Sequence, residues 1–219
     1  AIGALDEIAD FLPEIIRAKH NYPSLHQALV QLHQPADLDH AENARERLTF
    51  DEAFLLQSLL VLRRIELKKL NSTSRKATAG GLLDAFDKRL PFQLTAGQVA
   101  VCKEIEADLA QPHPMHRLLQ GEVGSGKTIV ALRAMLAVVD SGGQAALLAP
   151  TEVLAAQHLR TIQKLLGDLA QGGMLGGSEV ATQVTLITGS QNAAARKEAL
   201  ALAASGDAGI VIGTHALLG

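Results

Sequence analysis

The stretch Gly121-Glu122-Val123-Gly124-Ser125-Gly126-Lys127-Thr128 decides the fold of this chain, because it is a complete G-x₄-G-K-T phosphate-binding loop. In such a loop successive backbone N–H groups curl around a phosphate, and the glycines permit the curl. All eight residues are therefore predicted to bind a nucleotide, with Glu122 pointing outward. Lys127 is predicted to reach the β and γ phosphates, and the Thr128 hydroxyl to ligate Mg²⁺, so that ATP and Mg²⁺ are the expected cofactors.

Strand-like and helix-like segments alternate on both sides of this loop, which makes a chance Gly-rich turn the weaker interpretation. Four segments are predicted as strands: 117–120, 145–149, 184–188 and 210–214. Amphipathic patterns predict helices over 95–109, 127–139, 152–169 and 193–203. Alternating strands and helices are typical of an α/β fold with a parallel sheet wrapped by helices.

The first seventy residues carry a different pattern. Apolar residues recur at three- and four-residue spacing from Leu5 onward, and they predict a short helix over 24–32 and a long one over 39–70. Thr49 and Glu52 have capping-box spacing, which predicts a break in the long helix. The polar segment ending in Gly80-Gly81 predicts a linker. The expected organisation is a helical region over 1–70, a linker over 71–90 and the phosphate-binding domain over 91–219.

Composition limits the partners and the compartment. The 219 residues are 47% hydrophobic and carry a formal net charge of −3, so that any nucleic-acid contact must use local groups and backbone amides rather than a basic field. The single cysteine cannot form an intrachain disulfide. No apolar run has membrane-spanning length and the first residues lack a basic signal-peptide start. These features favour a cytoplasmic protein without a membrane partner.

A second nucleotide contact is predicted upstream of the loop. A side-chain amide donates and accepts at once, so Gln98 could bind the N6 and N7 edge of adenine. Phe92 could stack near the base, and Thr95 could cap the following helix. The alternative is an ordinary helix start with an exposed glutamine.

Several motifs resemble those of superfamily 2 helicases. Residues 90–98 (LPFQLTAGQ) resemble the glutamine motif, 121–128 resemble motif I, and 149–158 (APTEVLAAQH) resemble motif Ia. Residues 187–190 (ITGS) and 213–218 (GTHALL) are similar to the motifs that follow. The combination, including the helical stretch 44–52, resembles bacterial ATP-dependent DNA helicases that remodel stalled replication forks and Holliday junctions.

The resemblance implies the N-terminal part of a RecA-like motor lobe preceded by a helical connector. Its partners would be branched DNA, meaning forks and four-way junctions, together with a wedge domain and a second motor lobe of the same protein. The residues implied along the DNA are Pro150, Thr151, Glu152, Gly189, Ser190, Thr214 and His215. The acidic Mg²⁺-binding motif and the arginine finger would lie outside the sequence, so the chain alone is expected to hydrolyse little ATP.

Two other functions are open at this stage. One is a duplex translocase of the transcription-repair coupling type, which has a related motor. The other is a nucleotide-binding module without DNA-stimulated turnover.

Overall fold

The computed structural model describes residues 9–173 and 180–217, and the chain divides into two compact units between Lys69 and Leu70. Three helices form the first unit: α1 (Glu14–His20), α2 (Leu25–His33) and α3 (Leu38–Lys68). Helix α2 begins with a capping box in which the Ser24 hydroxyl accepts from the N–H of Gln27. The predicted helical residues 5–8 and Leu218 of the last motif lie outside the described residues.

A buried arginine organises the helical unit. Arg47 on α3 has no exposed surface, and it donates to Asp51 one turn later, to Asp10 at 2.7 Å and to the Pro23 carbonyl at 3.3 Å. The predicted break near Thr49 is wrong, since α3 is continuous from Leu38 to Lys68. The Arg47–Asp51 pair has i, i+4 spacing, which requires an unbroken helix across the predicted break.

The second unit holds the remaining elements. Its helices are α4 (Leu82–Arg89), α5 (Ala96–Leu109), α6 (Lys127–Asp140), α7 (Glu152–Leu166) and α8 (Ala193–Ser205). Its strands are β1 (Ala145–Leu148), β2 (Val184–Ile187) and β3 (Ile210–Gly213). Short 3₁₀ helices cover Gly167–Ala170 and His215–Leu217.

The three strands form a parallel sheet in the order β1-β3-β2, which confirms the predicted α/β fold. Gly213 pairs with Leu148 on one side and with Ile187 on the other, so all three strands end at the same level. The central strand is buried on both faces: Ile210 and Ile212 pack in the main core, and Val211 packs with α8. Alternate side chains thus join two cores, as a covered parallel sheet requires.

Two sequence-based assignments differ from the structure. Residues 117–120 were predicted as a strand, but no described strand pairs with them, and Leu118 is 81% exposed. Residues 82–89 lie inside the segment predicted as a linker, yet they form α4, with Leu82, Leu83 and Phe86 buried in the main core. Apolar burial against α6 and the 3₁₀ helix Gly167–Ala170 explains why this short segment is helical.

Helix α4 is held at its start by the end of α6. The Asp140 carboxylate accepts from the N–H groups of Leu82 at 2.6 Å and Leu83 at 3.0 Å, and the Asp140 carbonyl accepts from the Thr78 hydroxyl at 3.1 Å. A Cβ at Gly81 would lie 2.5 Å from the Asp140 carboxylate, so glycine permits this approach. Within the described residues, no helix has both the length and the apolar character needed to cross a membrane.

Candidate nucleotide and nucleic-acid site

The phosphate-binding loop has the backbone that its glycines predict. Gly124 and Gly126 have φ of +84° and +83°, which strongly favours glycine, and Gly126 is the N-cap of α6. A Cβ at Gly121 would lie 2.6 Å from the Ser125 hydroxyl, so the loop also needs glycine there for space. Glu122 is exposed, in agreement with its predicted outward direction.

Lys127 lies folded against the loop. Its ammonium donates to the carbonyl of Gly121 at 2.7 Å and to that of Glu122 at 2.8 Å. Both acceptors are neutral carbonyls, so the full positive charge remains available to an anionic phosphate. Thr128 lies half-buried in the first turn of α6, where the helix dipole also favours an anion. The loop, the lysine and the helix start together fit a nucleotide phosphate.

The predicted adenine residues make different contacts. Thr95 and Gln98 form the capping box of α5, in which the Gln98 amide oxygen accepts from the Thr95 N–H at 2.9 Å. The Gln98 amide nitrogen donates to the Ser125 carbonyl at 2.8 Å. Phe92 instead lines a cleft of about 590 Å³, together with Leu94 and Val99 among others.

This arrangement shows a role of Gln98 that sequence reasoning missed. Its amide contacts the phosphate-binding loop directly, and a Cβ at Gly126 would lie only 2.4 Å from the amide nitrogen. Gln98 and Ser125 are 27 residues apart, so local sequence patterns cannot reveal the contact. The start of α5 therefore helps to fix the curvature of the loop.

The residues predicted to contact DNA gather at the carboxyl edge of the sheet. Pro150, Thr151 and Glu152 follow β1, Gly189 and Ser190 follow β2, and Thr214 and His215 follow β3. Because the three strands end at the same level, these segments share one edge. Helix α7 also starts at this edge. The N–H groups of its first turn have no acceptor within the helix, and the Thr151 hydroxyl caps one of them, that of Leu154, at 3.3 Å.

Two of these residues bind each other. The Glu152 carboxylate accepts from the Ser190 N–H at 3.0 Å and from the Ser190 hydroxyl. The Ser190 hydroxyl and N–H, with a smaller contribution from the Gly189 N–H, hold the pKa of Glu152 below its ordinary value. A 38-residue separation and an intervening strand place this pair beyond the reach of sequence patterns.

Helix α6 is braced by a partly buried cation. Arg133 donates to Asp87 of α4 and to Glu106 of α5, the latter at 3.1 Å. Burial would lower the pKa of Arg133, but the Asp87 carboxylate raises it above its ordinary value. The helix that begins at the phosphate-binding loop is thus tied to the helices on both sides.

Comparisons with known proteins agree with this architecture. The family model described as DEAD/DEAH box helicase matches residues 95–219. A Mycobacterium tuberculosis (strain H37Rv) protein named ATP-dependent DNA helicase RecG is 54% identical over 99% of this chain and 29% of its own length. A Bacillus subtilis (strain 168) protein of the same name is 38% identical over 97% of this chain and 30% of its own length.

A solved structure described as RecG bound to a three-way DNA junction is also similar. It superimposes with a TM-score of 0.82 at 34% identity, and the match covers 99% of this chain and 28% of that chain. The chain thus spans less than a third of the length of these relatives.

Proposed function

Because the chain belongs to the DEAD/DEAH box helicase family, we propose that it supplies nucleotide-binding and DNA-contacting parts of an ATP-dependent helicase that remodels branched DNA. The observation that carries the proposal is the joint presence of a formed phosphate-binding loop and a sheet edge that presents three adjacent loops. Two named RecG helicases are similar along almost the whole chain.

The nucleotide part of the proposal assigns a role to each loop residue. The backbone N–H groups of 121–126 and the start of α6 bind the phosphates, and Lys127 moves from the carbonyls of Gly121 and Glu122 to the β and γ phosphates. The Thr128 hydroxyl would hold Mg²⁺, and the ion would supply positive charge to the phosphates during phosphoryl transfer. Gln98 keeps its bond to the Ser125 carbonyl and contacts adenine with the remaining hydrogen-bonding capacity of its amide, and Phe92 lies near the base.

The DNA part rests on backbone chemistry rather than on net charge. The start of α7 and the segment after β3 offer N–H groups and small polar side chains, which bind phosphate oxygens without basic residues. Thr151, Thr214 and His215 are the side chains proposed to bind the strand, and the Gly189–Ser190 turn is proposed to lie beside it. Such contacts bind the DNA backbone and do not distinguish base sequences, which suits an enzyme that recognises the branched shape of DNA.

The remaining assignments follow from the same proposal. The helical unit over 1–70 would connect the motor to a wedge domain, and a second motor lobe would complete the ATP site. The substrates would be forks and four-way junctions. A bacterial enzyme that acts on chromosomal DNA works in the cytoplasm, which is the location proposed.

The test is ATP hydrolysis by the complete gene product with forked, four-way, linear duplex and single-stranded DNA. We expect strongest stimulation by branched DNA and loss of activity in Lys127→Ala, because that variant lacks the phosphate-binding ammonium. Stimulation by linear duplex alone would favour a translocase. Nucleotide binding without stimulation by any DNA would refute the helicase proposal and leave a nucleotide-binding module.

A further inference from the structure

The loops after β1 and β2 are joined directly, although their strands are not neighbours. The strand order is β1-β3-β2, so the hydrogen bonds from Ser190 to Glu152 bridge the two outer strands at the carboxyl edge. Both carboxylate oxygens take part: one accepts from the Ser190 N–H at 3.0 Å and the other from its hydroxyl. A single side chain thus links two of the three loops at this edge.

The turn that Glu152 holds is fixed from its other side as well. Gln191 accepts from the Thr188 N–H at 2.9 Å and donates to the Leu186 carbonyl at 2.9 Å. Arg196 donates to the Thr188 carbonyl at 3.3 Å. These bonds anchor the turn to its own strand and to α8. The Ser190–Glu152 hydrogen bonds join the same turn to the start of α7.

Glycine allows a close approach at the end of the central strand. A Cβ on Gly189 would lie 3.4 Å from a Glu152 carboxylate oxygen, which is an ordinary van der Waals distance. A Cβ on Gly213, at the end of the central strand, would lie 2.2 Å from the Ile187 carbonyl. Small residues therefore keep this edge compact beside the Glu152–Ser190 bonds.

The charge of Glu152 argues against a direct role in holding DNA. A carboxylate repels phosphate, and both oxygens already accept hydrogen bonds from Ser190. The ionised form is the one that makes these bonds. Glu152 is consequently turned toward the protein, which differs from the direct DNA contact that motif resemblance implies.

We propose that Glu152 is a positioning residue, which fixes the spacing between the start of α7 and the Gly189–Ser190 turn so that both meet the same DNA backbone. The inference rests on the proposed function, since it assigns a role within the proposed DNA-contacting edge. The Glu152 carboxylate acts by binding Ser190 and does not itself contact DNA.

The test compares Glu152→Ala, Glu152→Gln and Ser190→Ala in the complete gene product. The matched control is Glu198→Ala, which removes the same charge from an exposed position of α8. The readouts are the branched-DNA concentration that gives half-maximal ATPase stimulation, the ATPase rate at saturating DNA, and the KM for ATP without DNA.

We expect Glu152→Ala to raise the half-maximal DNA concentration about tenfold, the size of effect that losing a charge-assisted hydrogen bond has. The KM for ATP without DNA should stay unchanged, because the phosphate-binding loop is a separate segment. Glu152→Gln should remain within about twofold of wild type, because an amide oxygen accepts from the Ser190 N–H and an amide N–H donates to its hydroxyl. The double variant of Glu152 and Ser190 to alanine should be no weaker than Glu152→Ala, because both residues make one contact.

Three outcomes would overturn the inference alone: DNA affinity unchanged or tighter in Glu152→Ala, an equal effect in Glu198→Ala, or additive losses in the double variant. Tighter binding would mean that the carboxylate competes with phosphate for the Ser190 donors. A wild type that responds to no DNA would instead refute the proposed function, and with it the inference. The separate wild-type measurement keeps these two failures distinct.

Discussion

Replacing Asp51 by alanine removes one carboxylate partner from a guanidinium that water does not reach. Arg47 has no exposed surface and Asp51 is 5% exposed. Breaking a buried ion pair by removing one partner costs about 3–5 kcal/mol, because the remaining charge is left without compensation.

The expected loss lies at the lower end of that range, at about 3 kcal/mol. Arg47 keeps a second carboxylate, since Asp10 accepts from it at 2.7 Å, and it keeps the Pro23 carbonyl at 3.3 Å. One oxygen of Asp51 is buried without a hydrogen-bond partner, so the native pair is itself incompletely satisfied. At a factor of ten per 1.4 kcal/mol, this loss corresponds to about a 150-fold change in the opening equilibrium.

The assay is native-state hydrogen exchange of peptides from α2 and the first half of α3, followed by mass spectrometry. Exchange through opening of the helical unit should become about 150-fold faster in Asp51→Ala. Glu52→Ala is the matched control, because Glu52 is exposed and its replacement removes the same charge. A change below about tenfold, or one equal to that of Glu52→Ala, would refute the reasoning that an unpaired buried charge governs this unit.

Asp10, Gly126 and Asp140 provide three further tests of the described contacts. Burial raises the pKa of Asp10, but hydrogen bonds from Arg47 and two backbone N–H groups leave it below its ordinary value. The stabilisation that ionised Asp10 provides is present above about pH 4 and is lost as the pH falls through the lowered pKa. Asp10→Asn should therefore reduce the fall in the urea midpoint of the helical unit between about pH 5 and pH 3, as measured by circular dichroism. Gly126→Ala should weaken binding of a fluorescent ATP analogue more than Gly124→Ala, because both positions have positive φ but only a Cβ at Gly126 meets the α5 glutamine, at 2.4 Å; equal losses would contradict the packing argument. Asp140→Ala should lower the melting temperature through a lost cap worth about 1–2 kcal/mol while nucleotide affinity is retained, and an unchanged melting curve would contradict the capping role.

Local chemistry explains what the sequence predicted well. The phosphate-binding loop follows from its own glycines and lysine, and the three paired strands follow from continuous apolar runs between turn residues. The segment 117–120 holds only two apolar residues, Leu118 and Leu119. A strand also requires a hydrogen-bonded neighbour, and none of the described strands supplies one.

Contacts between distant residues explain what the sequence could not predict. Helix α4 is stabilised by burial of Phe86 and by the Asp140 carboxylate, neither of which marks the local pattern as helical. The Thr49 capping signal was overridden by the buried pair of Arg47 and Asp51, which continues the helix. At the carboxyl edge, the DNA contacts that motif resemblance implies stay a prediction, and the resemblance could not predict that Glu152 binds Ser190.

Helix α6 has a fixed length for a geometric reason. Its first residue, Lys127, belongs to the phosphate-binding loop and its last, Asp140, caps α4. The fourteen residues of α6 set these ends about 20 Å apart along the axis, and each residue also turns the helix by about 100°. A one-residue deletion would therefore rotate Asp140 about a quarter-turn away from α4 while the loop stayed in place. Length variation among relatives should accordingly fall in the connecting loops, and α6 should tolerate substitutions but not insertions or deletions.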